Sequence, residues 1–536
     1  MTLPLYYYVL GTPLGVLGLF RWGCWLVRRV PAVLYKPYQS NNPNFRLTMS
    51  IAVPVYQEDP IIFETAIQSW LANHVEEVIL VIDQSDKVCQ EIASRYPVTV
   101  VITDVPGKRD ALVKGWNAAS TELVALVDSD TIWAPDVADE VCKPFEDPKM
   151  GGVGTRQSVY GSTGLLARLT DMFLDHRYFD ENASQSLLGK AVSCLSGRTA
   201  IYRRSVLMEI QEEFMNETFW GVPCLSGDDK RLTTLTLEHG YLTYMQRTAQ
   251  VWSTFPDSPR VFRKQRLRWA RNTWRSDLRA LSRRWVWSHP FLAYTMIDKA
   301  LSGFTVLLGP IFMVIALVSQ NWIFAAVLAL WWQISRSAKL LPHIYRRPSS
   351  FFFIPAYVVF SWVMAIIKLH ALMTIRKQRW LTRQVAVENG EVVRTAGSED
   401  ENPAELAAEA ATADPLTQPL GRPQPVGYGS SPVALTEPVP TAAVVGAVPG
   451  LAPVRTEQPR PQPHPHPQPG PRPSPQPPPH PGPHPQAPHV GPRPSPRPNA
   501  GAHPAPPAPQ SLQPAPRPQP NPRPQPNRRA QPGVPA

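Results

Sequence analysis

Acidic residues recur directly after apolar runs in the first half of the chain. Asp83 follows "VILVI", and Asp128 and Asp130 of "DSD" follow "LVALV". Two carboxylates separated by one residue supply hard oxygen donors, which suit Mg²⁺ or Mn²⁺ bridging a diphosphate. A turn or a helix N-cap would use the same residue type. Capping is the simpler interpretation of Asp59, which precedes Pro60.

Cations and a second acid pair follow along the chain. Lys108 and Arg109 come after Gly107 in a predicted loop, where they could meet phosphate oxygens or simply be solvated. Asp228 and Asp229 of "SGDDKRLT" are predicted at a helix start, where acids are favourable in any case. With the upstream acids and cations, this pair supplies what a group transfer needs: a general base, a metal site and charge neutralisation.

The stretch "KQRLRW", from Lys264 to Trp269, places cations beside a glutamine and a tryptophan shortly before the chain becomes apolar. One interpretation is an amphipathic helix whose Arg263, Arg266 and Arg271 side chains extend to a bilayer surface. The other is that the stretch meets an anionic and sugar-like or lipid-like ligand. Both interpretations stay open at this point.

Strands alternate with helices between about Asn44 and Arg284. The runs "LTMSIAVPVY", "EEVILVID", "VTVVITD" and "ELVALVD" are typical of strands, and "FETAIQSWLA" has helical spacing. This alternation predicts an α/β fold with a mostly parallel sheet, whose ligands bind at the carboxyl ends of the strands. The acidic residues fall at those ends.

Net charge and cysteine spacing indicate some classes of function and argue against others. The formal net charge of +11 is shared between the carboxyl-terminal tail and the segments flanking apolar runs, which indicates contact with a membrane surface. No nucleic-acid-binding motif accompanies it. The five cysteines are dispersed without a CxxC or Cys/His pairing, which argues against zinc and against a disulfide framework. A catalytic domain facing the cytosol fits this pattern.

Apolar runs flank the α/β region. Leu5–Val27 has the length of one span with its basic side cytoplasmic, which predicts a retained anchor. The alternative is a cleaved signal peptide, but the run lacks the leading positive charge and the small-residue cleavage site that such a peptide has. Three further runs are Ala300–Ser319, Trp322–Ile334 and Phe351–Leu372. The positive-inside rule makes the first two a hairpin. The third is predicted to lie in the interface or re-enter, because crossing would place the following basic segment outside.

Proline dominates the end of the chain. More than half of the 63 prolines follow Pro403, in stretches such as "PRPQPHPHPQPGPRP". Almost no aliphatic or aromatic residues are available there to form a core, so we expect a disordered, basic, polyproline-like tail over residues 385–536.

Taken in order, these pieces resemble the processive, inverting, membrane-embedded glycosyltransferases of family 2, the group that includes cellulose, chitin and hyaluronan synthases. The resemblance covers about residues 50–385 and rests on four ordered motifs, "VIDQSD", "DSD", "GDD" and "QRLRW". It is nearest to hyaluronan synthases and chitin-oligosaccharide synthases, through stretches such as "VDSDTIWAPDV" and "MNETFWGVPCLSGDDKRLT". The later "RWLTR" resembles the gating-loop motif WGTR, with leucine in place of glycine.

The resemblance implies a GT-A-like nucleotide-sugar-binding domain and a role for each motif residue. The donor-binding residues would be Tyr56, Glu58, Asp83, Lys108 and Asp128. The metal, Mg²⁺ or Mn²⁺, would be held by Asp130 and Asp128. The catalytic pair would be Asp229, as the base that deprotonates the acceptor hydroxyl, and Asp228. The acceptor and diphosphate contacts would be Gln265, Arg268 and Trp269, and the gating residues Trp380 and Arg383.

The implied function is extension of a hyaluronan- or chitin-like polysaccharide from UDP-GlcNAc, UDP-glucuronate or both, coupled to translocation across the plasma membrane by a multi-pass protein. Its partners would be the UDP-sugar donor, the growing glycan and membrane lipids, without nucleic acid, and the single amino-terminal span favours a homo-oligomer. Lys230 and Arg198 depart from the family pattern. Two alternatives stay open: transfer of one sugar to a lipid acceptor, and a non-catalytic membrane scaffold.

The predicted layout follows the chain. Its parts are an anchor and basic linker (1–43), a cytosolic catalytic domain (44–264), interfacial amphipathic helices (265–299), a transmembrane or re-entrant region (300–375), a gating-like segment (376–384) and the tail (385–536).

Overall fold

The computed structural model describes residues 15–377, 379–380, 385–388 and 391–394. The strands are β1 (Met49–Val55), β2 (Glu77–Asp83), β3 (Thr99–Thr103), β4 (Leu123–Val127), β5 (Thr131–Trp133), β6 (Met150–Val159), β7 (Thr199–Arg203), β8 (Thr218–Phe219), β9 (Val222–Pro223), β10 (Leu242–Ser253), β11 (Arg379–Trp380), β12 (Val385–Glu388) and β13 (Glu391–Arg394).

Helices occupy most of the remaining described chain. They are α1 (Val16–Leu34), α2 (Pro60–Leu71), α3 (Lys87–Ala93), α4 (Lys108–Ala118), α5 (Val137–Cys142), α6 (Leu165–His176), α7 (Asn182–Leu187), α8 (Arg204–Met215), α9 (Asp228–Glu238), α10 (Pro259–Leu281), α11 (Pro290–Val318), α12 (Trp322–Lys339), α13 (Leu341–Arg346) and α14 (Ile354–Met373). A π-helical turn, Arg177–Glu181, joins α6 to α7.

Within the described residues, eight strands form one mixed sheet in the order β3-β2-β1-β4-β7-β6-β10-β5. The strands β3, β2, β1 and β4 are parallel, as are β6 and β10, which confirms the predicted mostly parallel α/β sheet. Strand β7 runs antiparallel to both of its neighbours. Its first residue, Thr199, pairs with Val127 at the end of β4, so the segment entering β7 lies at the same edge of the sheet as the segment leaving β4.

Helices cover the two faces of the sheet and bury one apolar layer on each. On one face α2 contributes Phe63 and Trp70, and on the other α4 and α8 contribute Trp116 and Phe214, all fully buried. The Trp70 indole N–H donates to Thr131 O at 2.9 Å, so its polar atom is paired inside the core. Burial of aromatic side chains of this size stabilises the fold by roughly 1.5–3 kcal/mol each.

The apolar helices begin earlier or extend further than the apolar runs alone predict. Helix α11 starts ten residues before Ala300, because Pro290 favours a first helical turn and the buried Asp298 is paired with Arg21 and Arg28 of α1. Among the described residues, Pro290–Val318 and Pro348–Met373 are long and apolar enough to cross a membrane, with mean hydropathies of 2.3 and 2.1. Helix α10 begins at Pro259, so the predicted domain boundary at 264/265 falls inside one helix.

The predicted start of the disordered tail at residue 385 is wrong. Residues 385–388 and 391–394 are antiparallel strands, and Arg379–Trp380 pairs with the first of them. The physical reason is present in "VAVENGEVV", where Asn-Gly separates two β-branched runs, a strong signal for a hairpin. The remainder of the predicted tail lies outside the described residues.

Candidate active site

A cavity of about 570 Å³ opens at the carboxyl ends of the parallel strands. Its wall includes the residues that the sequence analysis singled out for donor, metal, base and acceptor contacts. These are Tyr56, Glu58, Asp83, Lys108, Asp128, Asp130, Asp228, Asp229, Gln265, Arg268 and Trp269. Residues separated by more than 200 positions therefore face one volume, large enough for a small-molecule ligand.

Strand register brings the first acids to one edge of the sheet. Val55 pairs with Ile82, so Tyr56, just after β1, and Asp83, the last residue of β2, lie at the same edge. Asp83 is buried, and its Oδ1 accepts hydrogen bonds from the Ser85 N–H at 2.9 Å and the Ser85 hydroxyl at 2.6 Å. These bonds hold the carboxylate at the end of β2, where it lines the cavity.

The "DSD" turn is tied to the neighbouring strand end. Ser129 donates from its hydroxyl to Glu58 Oε2 at 2.7 Å, which joins the segment after β4 to the segment after β1. Asp130 Oδ2 accepts from the hydroxyls of Ser253 at 2.9 Å and Thr254 at 2.6 Å, at the end of β10. The Asp130 carboxylate is thus oriented by hydroxyls at the end of β10, and the turn itself is fixed to the segment after β1 through Ser129.

Lys108 and Arg109 begin helix α4, so their predicted placement in a loop is wrong. Gly107 takes φ +118°, which lets it serve as the residue before the helix and aims the next side chain into the cavity. The Lys108 ammonium pairs with Asp128. Burial lowers the pKa of Lys108, but Asp128 and Asp228 more than offset this, so its pKa lies above the ordinary value. A charged cation therefore faces the acids, as binding of a diphosphate would require.

Two carboxylates at this edge suit a hard divalent cation. Asp128 and Asp130 present oxygen atoms to the cavity, and Ser253 and Thr254 orient Asp130. Among the described residues, no cluster of three or more His, Cys, Asp or Glu side chains encloses a metal. With nucleotides, Mg²⁺ is commonly bound through one or two carboxylates completed by phosphate oxygens and water.

The acid pair starts helix α9. Gly227 precedes it in the left-handed region, at φ +92°, and turns the chain so that both aspartates reach the cavity wall. Asp228 is buried and accepts from Arg109 Nε at 2.9 Å. Burial raises the pKa of Asp228, and the cations Arg109 and Lys108 act in the opposite direction. This carboxylate is engaged in a buried ion pair with Arg109, whereas that of Asp229 is only partly buried.

Asp229 is only partly buried, and its carboxylate has local contacts that orient it. Oδ1 accepts from the Lys230 N–H at 2.7 Å, and Oδ2 lies 3.4 Å from the Gly197 nitrogen and 3.7 Å from Cys194 Sγ. A Cβ on Gly197 would lie 3.4 Å from both Asp229 Cβ and Lys108 Nζ. Gly197 was not predicted as a wall residue, although the adjacent Arg198 was named as a departure from the family pattern.

The departure at Lys230 lies outside the cavity. Its ammonium pairs with Asp277 Oδ1 at 2.8 Å and donates to Ser193 O at 2.9 Å. Lys230 is buried between α9 and α10 and does not line the cavity. The substitution for arginine therefore concerns the packing of two helices.

Helix α10 turns one face to the cavity through Gln265, Arg268, Trp269 and Asn272, which have the spacing of a single helical face. Gln265 Oε1 is buried and has no hydrogen-bond partner among the described residues. An acceptor atom left in this state suits a ligand that donates a hydrogen bond, because an unpaired buried polar atom is costly.

Arg198, flagged in the sequence as a departure, forms part of the same wall. Its guanidinium lies 5.5 Å from the Trp269 ring centroid and 4.0 Å from that of Phe255. Its Nε donates to Ser253 Oγ at 2.6 Å. Arg198 thus links the tryptophan to the segment that orients Asp130.

Arg266 and Arg271 do not extend to a bilayer surface, so that interpretation is wrong for both. Arg266 is 2% exposed and stacks on Phe262 and Trp269, at 4.6 and 4.7 Å from the ring centroids. Arg271 is buried, and its Nε donates to Thr374 Oγ1 at 3.0 Å. Aromatic rings and Thr374 replace water around these two guanidinium groups. The contacts with Phe173 and Thr374 are distant along the chain, so a local helical pattern does not reveal them. Arg263 is exposed.

The predicted gating residues are only partly described. The backbone of Trp380 lies in strand β11, and Arg383 lies outside the described residues. Their roles stay predictions.

The family model described as "Glycosyltransferase like family 2" matches residues 46–272. These residues form a family-2 glycosyltransferase domain. The match contains the whole cavity wall, from Pro54 to Asn272. The prediction of a family-2 glycosyltransferase is confirmed, and the mixed, mostly parallel sheet confirms the predicted α/β class.

The glycosyltransferase is similar in sequence to proteins of bacteria and fungi. A hyaluronan synthase of Streptococcus pyogenes serotype M3 is 28% identical over 403 residues, which cover 70% of this chain and 93% of the relative. A type 2 glycosyltransferase of Zymoseptoria tritici is 26% identical over 383 residues, which cover 68% of this chain and 79% of the relative.

Solved glycosyltransferases are similar to the chain in structure. A mannosyltransferase from Pyrobaculum calidifontis, in complex with GDP-Man and Mn²⁺, gives a TM-score of 0.46 at 18% identity, over 66% of this chain and 96% of its own. A glucosyl-3-phosphoglycerate synthase from Mycobacterium tuberculosis gives a TM-score of 0.32 at 18% identity, over 45% of this chain and 87% of its own.

Proposed function

We propose that the chain is an inverting, processive glycosyltransferase that builds a hyaluronan- or chitin-like polysaccharide from UDP-sugar donors. The observation that carries this proposal is the shared cavity, in which Asp229 and Trp269 line the same volume as the acids of the donor side. A tryptophan ring is well suited to stack on a sugar, because its face is apolar and its rim is polar. An acceptor held there would lie beside the catalytic base.

The donor half of the cavity suits a nucleoside diphosphate sugar. Asp83, at the end of β2, would accept hydrogen bonds from uracil and ribose, with Tyr56 and Glu58 beside it. Lys108 carries a charge that would neutralise the diphosphate. Asp128 and Asp130 would hold Mg²⁺ or Mn²⁺, and the metal would supply charge stabilisation for the leaving UDP.

The reaction we propose is a single displacement at the anomeric carbon. Asp229 takes the proton from the acceptor hydroxyl, the hydroxyl oxygen forms the new glycosidic bond, and the bond to UDP breaks with its electron pair leaving on UDP. Attack and departure occur on opposite faces, so the configuration inverts. Asp228 stays paired with Arg109 and shapes the turn that presents Asp229.

Membrane translocation of the product rests on the apolar helices that follow the domain. Trp274 of α10 donates from its indole N–H to Lys368 O of α14 at 2.9 Å, so the helix that carries Trp269 is attached to an apolar helix long enough to span. A glycan leaving the Trp269 end of the cavity would therefore meet the membrane region. We place the enzyme in the plasma membrane with this domain cytoplasmic.

The test uses membranes containing the full chain, incubated with radiolabelled UDP-GlcNAc and UDP-glucuronate, singly and together, with Mg²⁺ or Mn²⁺. High-mass product only with both donors selects a hyaluronan-like polymer, and product with UDP-GlcNAc alone selects a chitin-like one. UDP release with label confined to lipid selects single transfer to a lipid acceptor and refutes processivity. UDP release without any glycan refutes the transfer.

A variant pair tests the assignment of the base. Asp229→Asn should retain UDP binding and lose transfer, since the amide accepts no proton in the reaction. Asp104→Asn is the matched control, because Asp104 is exposed and does not line the cavity. Normal transfer by Asp229→Asn would show that another group is the base.

A further inference from the structure

Glu217 lies outside the cavity, between the end of α8 and strand β8, yet its buried carboxylate is paired with arginines from three helices. Arg109 of α4 donates to Oε2, and Arg279 of α10 donates to Oε1. Arg231 of α9 places its Nε 3.8 Å from the same Oε1. Glu217 is 8% exposed, so these cations replace water around it.

Each of the three helices also carries a residue of the proposed reaction. Helix α4 begins with Lys108 on the donor side, α9 carries Asp229, and α10 carries Trp269 on the acceptor side. One carboxylate therefore joins the three elements whose relative placement decides the distance between donor, base and acceptor. Arg109, predicted to meet phosphate oxygens or solvent, lies at this junction and does not line the cavity, and Glu217 was given no role from the sequence.

The connection from Glu217 to the acid pair runs through one guanidinium. Arg109 uses Nη2 for Glu217, Nη1 for Phe214 O at 2.9 Å and Nε for Asp228 Oδ1 at 2.9 Å. With its three nitrogens engaged, Arg109 has little freedom to rotate, because a planar guanidinium fixes the direction of each bond. Asp228 is thereby held in place, and with it the turn that presents Asp229.

The Glu217 carboxylate keeps its negative charge at this junction. Burial alone would raise the pKa of Glu217, but Arg109 and Arg279 outweigh it, so its pKa lies below the ordinary value. The carboxylate stays ionised at neutral pH, and its negative charge is shared by the three arginines. A neutral side chain at this position would leave buried positive charges facing one another.

We propose that Glu217 is a positioning residue for glycosyl transfer, which sets the acid-pair helix α9 against the donor helix α4 and the acceptor helix α10. The proposal rests on the proposed function of the cavity, because it assigns Glu217 no contact with substrate. Its effect is exerted through Arg109 on the Asp228–Asp229 turn and through Arg279 on the helix of Trp269. Loss of either connection changes the geometry of transfer while the donor pocket persists.

The first test removes one connection at a partly exposed position. Arg279→Gln removes the ion pair between Glu217 and α10 and leaves Glu217 paired with Arg109 and Arg231. Arg283→Gln is the matched control, an exposed arginine just beyond the same helix. We expect kcat for UDP release, normalised to the number of UDP-binding sites, to fall about tenfold in Arg279→Gln with the donor KM within about twofold of wild type.

The second test addresses Glu217 itself. Glu217→Gln should lower kcat about a hundredfold while UDP affinity stays within about threefold. Glu217→Asp should recover part of that loss, because it keeps the charge on a shorter side chain. If Glu217→Gln does not accumulate as folded protein, the Arg279→Gln and Arg283→Gln comparison decides alone.

The outcomes separate positioning from simple structural support. Arg279→Gln with the same kcat per UDP-binding site as Arg283→Gln would overturn the proposal, even if fewer folded molecules were obtained. UDP release accompanies any transfer from a UDP-sugar, so this result does not depend on whether the product is a polymer. Absence of donor turnover by wild-type membranes is a separate result, which would refute the proposed function.

Discussion

Ser226 donates from its hydroxyl to the carboxamide oxygen of Asn272 at 3.0 Å. Ser226 lies in the turn before the acid pair, and Asn272 lies on the cavity face of α10. Both side chains are buried, so the bond has no competition from water. The turn before the acid pair and helix α10 therefore contact each other directly here, in addition to their connection through Glu217.

The first prediction concerns Gly227, beside this contact. Gly227→Ala would place a Cβ 2.9 Å from Asn272 Cγ and force a side chain into φ +92°. The left-handed backbone costs about 1–2 kcal/mol, and the displaced turn should lower kcat about a hundredfold. Gly240→Ala is the control, since its φ is +86° with nothing within 4 Å of the added Cβ. Steady-state UDP release and thermal unfolding of both variants provide the measurement, and equal kcat values would contradict the prediction.

The second prediction concerns the charge of Lys108. Lys108→Gln removes the ammonium that faces Asp128 and the proposed diphosphate, so the donor KM should rise roughly tenfold. Lys114→Gln is the control on the same helix, because Lys114 pairs with Asp110 at 2.9 Å and does not line the cavity. UDP affinity measured by titration calorimetry checks the result. Unchanged affinity in Lys108→Gln would show that the diphosphate binds elsewhere.

The third prediction concerns metal dependence. Asp130→Asn removes one charged oxygen ligand, so the Mn²⁺ concentration for half-maximal UDP release should rise at least about tenfold. Asp139→Asn, at an exposed position in α5, should leave that concentration unchanged. Chelation with EDTA should abolish release by wild type, and added Mn²⁺ or Mg²⁺ should restore it. Full activity in the presence of EDTA would refute a metal at the DSD turn.

The fourth prediction concerns stability and pH. Burial raises the pKa of Asp180, in the π-helical turn, to about 6 from 3.8, although Arg28 and Arg29 act against the shift. Because the folded pKa is raised, the folded state favours the protonated form. The contribution, about 3 kcal/mol, is present below pH ~4 and is lost as the pH rises through ~6.

Asp180→Asn should therefore unfold at a higher temperature than wild type at pH 7.5 and at the same temperature near pH 4. Asp104→Asn, at an exposed position, should match wild type at both pH values. Thermal unfolding of the detergent-solubilised protein at the two pH values is the measurement. A lower unfolding temperature for Asp180→Asn at pH 7.5 would show that its ion pairs outweigh its burial.

The strand-end acids could be predicted from the sequence because they depend on local patterns. Asp83 and Asp128 follow uninterrupted β-branched and apolar runs, and parallel strands place their carboxyl ends at one edge. The order of the sheet could not be read in the same way. Strand β7 lies between β4 and β6 through pairings more than 40 residues apart, and no local pattern encodes its direction.

The buried arginines show most clearly what a sequence pattern does not predict. Arg266 and Arg271 occur in a helix with strong local charge, which a sequence pattern assigns to a surface. Their partners, such as Phe173 and Thr374, lie about 90 to 100 positions away along the chain. Glu217 was missed for the same reason, since its cations come from three separate helices. Long-range pairing of charges is decided by packing, which residue types and spacing do not specify.

The long separation along the chain between the DSD turn and the end of β10 has a consequence for biosynthesis. The donor-side strands β1 to β4 and the DSD turn are complete once residue 133 has been synthesised, but Asp130 receives its partners only when Ser253 and Thr254 at the end of β10 arrive. Pairings of this sequence separation form slowly. The contacts that complete the cavity therefore form late in synthesis, shortly before Pro290–Val318, a helix long and apolar enough to cross a membrane, is made.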